Sequence, residues 1–152
     1  MKILFMCVAN SARSQIAEGL ARHLFGPSNP VESAGSAPSK LNPFAVKAMQ
    51  EIGIDISRHY SKSADQLSPG FLATLDYVIT LCADEVCPTL VTKGKKLHWP
   101  FPDPAGKGGS DEEQLERFRQ ARNDIKARLE AFGREMKLSG DDLTTPRQTP
   151  SR

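Results

Sequence analysis

Cysteine is scarce in this chain, three in 152 residues, and aromatic side chains make up only 7% of it. Three is an odd number and does not build the disulfide framework of a small secreted domain. The thiols are therefore expected to be catalytic, redox-active or metal-binding in a reducing, cytoplasmic setting. Charge of one sign is also missing: 20 Lys and Arg stand against 18 Asp and Glu, with no long basic run. That balance argues against nucleic acid or a membrane surface as partner. No apolar run approaches a membrane span. The opening Met1-Lys2-Ile3-Leu4-Phe5-Met6 has a lysine before apolar residues, but the run stops at Val8 and no cleavage site follows, so it reads as a strand and not a signal peptide. The length suits one domain, residues 1–138, ahead of a polar tail, 139–152, with two prolines and no pattern, expected to be disordered.

What is present alternates between two periodicities. Lys2 to Val8 is almost continuously apolar, as a strand buried on both faces should be. From Ser14 to Phe25, Ile16, Ala17, Leu20, Ala21 and Leu24 recur at helical spacing, and Gly26-Pro27 ends the run. Val31 to Ala34 predicts a second strand. Asn42-Pro43 starts a helix whose face is Ala45, Ala48, Met49 and Ile52. A weaker helical stretch spans Ser63 to Leu75. Asp76 to Leu81 and Lys96 to Trp99 predict strands three and four, and Ser110 with Glu113 forms a capping box before the longest amphipathic helix. Strands alternating with helices imply a parallel sheet covered on both faces, a three-layer α/β sandwich, with chemistry beyond the carboxyl ends of the strands. Cys7 follows the first strand, Cys82 the third and Asp103 the fourth, so three capable residues converge on one edge.

The segment Cys7-Val8-Ala9-Asn10-Ser11-Ala12-Arg13-Ser14 carries the clearest chemistry. A loop closing between a strand-end cysteine and a helix can turn the backbone N–H groups of Val8 to Ser14 toward a tetrahedral oxyanion, with the thiolate beneath it. Arg13 would clamp two oxygens in a bidentate contact, as lysine could not. A helix N-terminus and a guanidinium lower a thiol's pKa to roughly 3.5–7.5, which makes Cys7 the candidate nucleophile. Ser14 could donate to the sulfur, and Asn10 could brace the loop or accept a left-handed conformation. Asp103, stiffened between Pro102 and Pro104, is a candidate general acid, although Asp-Pro is equally a routine turn pair. Cys82 and Cys87 lie five residues apart; a helix would separate them by about 7.5 Å, beyond the roughly 7 Å that a disulfide tolerates. They can pair only where the intervening segment departs from a regular helix, which suits a redox switch. Zinc, with His98 as third ligand, is a poorer account because the spacing is not a usual zinc pattern and no fourth ligand is evident. His23, His59 and His98 read as surface or packing residues, and Lys93, Lys95 and Lys96 as a solvated loop.

These residues resemble the thioredoxin-coupled arsenate reductases, which share the low-molecular-weight protein tyrosine phosphatase fold. The resemblance runs from Lys2 to Lys137 through Cys7 to Gln15, Ala17-Glu18-Gly19, Ser33-Ala34-Gly35, Ile54-Asp55-Ile56-Ser57, Val78 to Cys82, His98-Trp99 and Asp103-Pro104-Ala105-Gly106-Lys107. It implies a four-stranded parallel sheet in the order 2-1-3-4. The Cys-x5-Arg loop alone is shared with phosphatases. The Cys82/Cys87 pair, and Ala105 where a phosphatase carries an aromatic, point to the reductase branch. The implied mechanism is a relay. Cys7 attacks arsenate while Asp103 assists departure of water; Cys82 then forms a disulfide with Cys7, expelling arsenite; Cys87 moves the disulfide to Cys82–Cys87, which thioredoxin reduces. No cofactor and no metal are implied, and the protein is expected to be a monomer. Relatives with a potassium site use residues matching Asn10, Glu18 and Ser33 plus an aspartate; Lys62 stands at the aspartate's position, and its ammonium would take the cation's place. Two other functions share part of this set: phosphomonoester or phosphotyrosine hydrolysis by Cys7, Arg13 and Asp103, and a non-enzymatic oxyanion or thiol sensor.

Overall fold

The computed structural model of the chain describes residues 1–83 and 89–138. Cys87 and the tail from 139 onward fall outside the described residues. Four strands, β1 (Ile3–Cys7), β2 (Val31–Gly35), β3 (Tyr77–Thr80) and β4 (Lys95–His98), form one parallel sheet in the order β2-β1-β3-β4. The expected order holds. β1 is central because it can bury both faces: Ile3, Leu4 and Phe5 are wholly inaccessible to solvent. β4 lies at an edge, and its exposed Lys95, Lys96 and His98 are the polar composition that discourages further strand pairing.

Helices cover both faces unequally. On one side, Ile3, Phe5 and Ile79 pack against Ile16 and Leu20 of α1 (Arg13–Phe25), Met49 of α2 (Pro43–Gln50), and Phe118, Ile125 and Leu129 of α4 (Asp111–Met136). On the other, Leu4, Met6 and Val78 meet Leu67 and Leu75, with Phe71 and Leu72 of α3 (Pro69–Ala73) behind them. The single helix expected from Ser63 to Leu75 is instead a 3-10 turn at Ala64–Gln66 followed by α3. Pro69 is the reason: it disfavours helical backbone at Ser68, which becomes the N-cap of a new helix and accepts a hydrogen bond from the Phe71 N–H.

Strand ends shift by about one residue from their expected bounds, with a physical cause at two of them. Asp76 is drawn out of β3 because its carboxylate accepts the Lys2 N–H at 2.7 Å. Trp99 lies just beyond β4, yet its N–H still reaches the Thr80 carbonyl at 2.8 Å. The capping box is as expected: Ser110 Oγ accepts from the Glu113 N–H at 3.1 Å, while Glu113 Oε1 accepts from the Ser110 N–H at 2.8 Å. Among the described residues, no helix is long and apolar enough to cross a membrane.

Candidate active site

Cys7 is the last residue of β1, and Arg13 is the first of α1. The five residues between them form a loop; the Ala12 carbonyl accepts the Ile16 N–H at 2.9 Å as the first bond of α1, and the other four carbonyls are taken from outside. Val8, Ala9 and Ser11 accept backbone N–H groups of Ala37, Ser39 and Asn42 at 2.9, 3.1 and 2.9 Å. The Asn10 carbonyl accepts the Ser61 hydroxyl at 2.7 Å. In a trans peptide the N–H points opposite to the C=O, so fixing these four carbonyls outward turns the N–H groups of Ala9, Asn10, Ser11 and Ala12 inward. The arrangement needs Gly35 beside it: a Cβ there would lie 2.4 Å from the Val8 carbonyl oxygen. Helix α1 begins without a side-chain cap or an acidic residue in its first turn, which leaves its positive end for an external anion.

Asn10 does both things anticipated of it. Its φ is 51°, in the left-handed region, and its wholly buried amide organises the loop. Oδ1 accepts from the Lys62 N–H at 3.0 Å and from Gln15 Nε2 at 3.1 Å, while Nδ2 donates to Ser14 Oγ at 2.7 Å. Ser14 Oγ lies 2.9 Å from Cys7 Sγ. Having accepted from Asn10, the hydroxyl keeps its one proton for the sulfur, which suits a thiolate.

Arg13 is buried, not the solvated first-turn residue that its position alone allows. Its Nη1 donates to the Phe101 carbonyl at 3.0 Å and, at a longer 3.4 Å, to that of Leu81. Its Nη2 lies 3.7 Å from Asp103 Oδ2. One guanidinium thus joins the loop after β1, the residue preceding Cys82, and the segment after β4. Asp103 is half-exposed, and its Oδ1 accepts the Ala105 N–H at 3.0 Å. Cys82 is buried beside Leu81 and is disulfide-bonded, whereas Cys7 is a free, buried thiol. Cys87, the remaining candidate, lies outside the described residues.

Behind the loop stands a buried polar layer that sequence reasoning largely missed. Gln15 Nε2 donates to the Tyr60 carbonyl at 3.0 Å, and His59 Nδ1 donates to Gln15 Oε1 at 2.9 Å. Burial pushes the His59 imidazole below its ordinary pKa, against the opposing pull of the Glu18 charge. Glu18 Oε1 accepts the Ser33 hydroxyl at 2.5 Å, and its Oε2 meets Arg22 Nη2 at 2.8 Å. The Lys62 ammonium reaches the same niche, 3.8 Å from Glu18, 3.9 Å from Glu32 and 5.2 Å from the Tyr60 ring centroid. With that ammonium in place, Asn10, Glu18 and Ser33 do not fit a further monovalent cation. No local signal points to His59, since its partner is 44 residues away in sequence.

A four-stranded parallel α/β sandwich with a Cys-x5-Arg loop after its first strand, and an aspartate after its last, defines a class of oxyanion-handling proteins. The model of the family described as low molecular weight phosphotyrosine protein phosphatase matches residues 2–141, and the chain belongs to that family. It is similar to a protein of Halalkalibacterium halodurans named arsenate reductase, with 45% identity over 86% of this chain and 93% of the relative. Among solved structures it is similar to an arsenate reductase in its phosphate-binding state, with 34% identity, a TM-score of 0.71, and coverage of 91% of this chain and 98% of the other. It also resembles a thioredoxin-dependent arsenate reductase of Corynebacterium glutamicum, with 29% identity, a TM-score of 0.67, and coverage of 90% of this chain and 61% of the other.

Proposed function

We propose that this chain is an arsenate reductase that works by a thiol–disulfide relay through Cys7, Cys82 and Cys87, with thioredoxin as its reductant. The observation that carries the reading is the seat of Arg13, which ties the oxyanion loop both to the carbonyl of Leu81, next to Cys82, and to the segment holding Asp103. Hydrolysis needs no second thiol; reduction does. The reading is further supported by the reductase names of relatives at 45% and 34% identity. Thioredoxin as donor is supported by the likeness to the thioredoxin-dependent arsenate reductase of Corynebacterium glutamicum.

In the proposed reaction the loop N–H groups and Arg13 hold arsenate over Cys7. The Cys7 thiolate forms a bond to arsenic, and an arsenate oxygen leaves as water after taking a proton from Asp103. The Cys82 thiolate then attacks Cys7 Sγ. The S–S bond forms, the S–As electron pair stays on arsenic, and arsenic departs reduced by two electrons as arsenite. Cys87 attacks Cys82 in turn, freeing Cys7, and thioredoxin reduces the resulting Cys82–Cys87 disulfide. The protein is taken to act as a monomer in the cytoplasm, where thioredoxin keeps thiols reduced.

The test is to add arsenate to fully reduced protein without thioredoxin, count free thiols and map the peptides. Loss of two thiols with a Cys82–Cys87 disulfide is expected; three surviving thiols would overturn the relay. Phosphomonoester hydrolysis remains the second reading, favoured by Arg13 lying 3.7 Å from Asp103 and by Ser14, the residue after Arg13, lying 2.9 Å from the Cys7 sulfur. The two separate in Cys82→Ser, which is expected to keep aryl phosphate hydrolysis and lose arsenite production.

A further inference from the structure

Asp103 belongs to a segment that the sheet holds at one end only. The Phe101 N–H donates to the Leu81 carbonyl at 3.1 Å, and the Phe101 carbonyl accepts from Arg13 at 3.0 Å. From residue 102 to 109 no backbone–backbone hydrogen bond follows among the described residues. Three glycines in this stretch have left-handed φ: Gly106 at 75°, Gly108 at 73° and Gly109 at 94°. Glycine confers the widest backbone freedom of any residue, so the stretch beyond Ala105 gives the prolines, Arg13 and the Ala105 N–H that hold Asp103 no rigid support from its far side.

Two side chains of α4 close the free end. Arg117 Nη2 donates to the Gly108 carbonyl, and Gln114 Nε2 donates to the Gly109 carbonyl at 3.0 Å. Arg117 also lines a cavity of about 180 Å³ together with Pro102, Asp103, Pro104 and Lys107. Its Nε is buried without a hydrogen-bond partner among the described residues. A buried donor without an acceptor destabilises a fold, so stability of α4 does not account for this side chain.

We infer that Arg117 is a positioning residue for Asp103: by gripping Gly108 it fixes the far end of the segment and sets where the carboxyl delivers its proton. The inference rests on the proposed role of Asp103 as general acid.

Single-turnover thiol loss at saturating arsenate tests it in Arg117→Ala, Arg117→Lys, Asp103→Asn and the double variant Asp103→Asn/Arg117→Ala. Arg117→Ala is expected to slow the step roughly 10-fold, a fraction of the roughly 10²–10⁴-fold that a positioned general acid supplies. Arg117→Lys should lose less, because an ammonium can still donate one hydrogen bond to the Gly108 carbonyl. The inhibition constant of inorganic phosphate, read on the same step, should not change. The double variant should be no slower than Asp103→Asn, and phenyl phosphate hydrolysis should suffer more than that of p-nitrophenyl phosphate, whose leaving group needs less protonation. Additive losses, equal losses on both esters, or weakened phosphate binding would overturn the assignment while leaving Asp103 as acid. An Asp103→Asn variant as fast as the parent would overturn the acid role, and the role of Arg117 with it. Thermal midpoints identify any variant that is merely unfolded, in which case Arg117→Lys alone decides.

Discussion

Asn10 holds more of the site than its short side chain suggests. Its left-handed φ and three amide contacts join the loop, α1 and the segment at Lys62. Asn10→Ala should lose about 2–4 kcal/mol of stability, from the left-handed strain and the buried partners left unpaired. Urea unfolding measures that loss, and phosphate inhibition should weaken in parallel. Gly35→Ala should do comparable damage to the loop, since the new Cβ would strike the Val8 carbonyl at 2.4 Å and backbone cannot swing away as a side chain can. Lys62 brings an internal cation to Glu18 and Glu32. Initial rates in potassium chloride and sodium chloride of equal ionic strength should therefore agree; a rise specific to potassium would refute this account of Lys62. Cys7, Arg13 and Asp103 were readable as candidates because their types and strand-end positions already state a chemistry. Gln15 and His59 were not, because a buried amide or imidazole acquires its part only from a partner distant in sequence.

At the scale of elements, α4 both supports the core and reaches the site's rim. Ser110 and Glu113 satisfy its first N–H groups, so Ser110→Ala should cost about 1 kcal/mol, measurable as a lower urea midpoint. Further along, Arg119 pairs with Glu51, Glu112 and Glu116, while Arg122 reaches Glu51 and the Ala48 carbonyl, pinning the end of α2. The types and positions of the elements were legible where periodicity was long, as in α1 and α4. The stretch from Ser63 to Leu75 was misread because its apolar residues suit a helix while Pro69 interrupts one.

For the molecule as a whole, His59 and Glu51 contribute to the response to acid, beside Asp55, Asp65 and Glu113, whose carboxyls are also held below their ordinary values. Burial holds His59 below its ordinary value of 6.5, so the unfolded chain takes up a proton first, and stability falls as pH drops through 6.5 toward the lower folded value. Glu51 is held below its ordinary 4.5, chiefly by its hydrogen bond from Arg119, so its contribution is complete above 4.5 and is lost as pH falls toward the folded value. Urea midpoints between pH 8 and 4 should decline in two stages, the first absent in His59→Gln. The second should shrink in high salt, because the Glu51 pair is partly exposed and screened.

The chain's residue order alone determined the alternation of strand and helix, the edge on which function gathers, and the identity of the thiol and guanidinium there. Each follows from local physics: side-chain periodicity, the chemistry of a cysteine at a strand end, and an arginine where a helix dipole would otherwise oppose it. Tertiary structure alone decided that Arg13 is buried against Leu81 and Phe101, that four loop carbonyls are held outward by the stretch from Ala37 to Asn42 and by Ser61, and that Lys62 arrives beside Glu18. Those facts are contacts between residues tens of positions apart. Their geometry exists only once the sheet has brought the strand ends together.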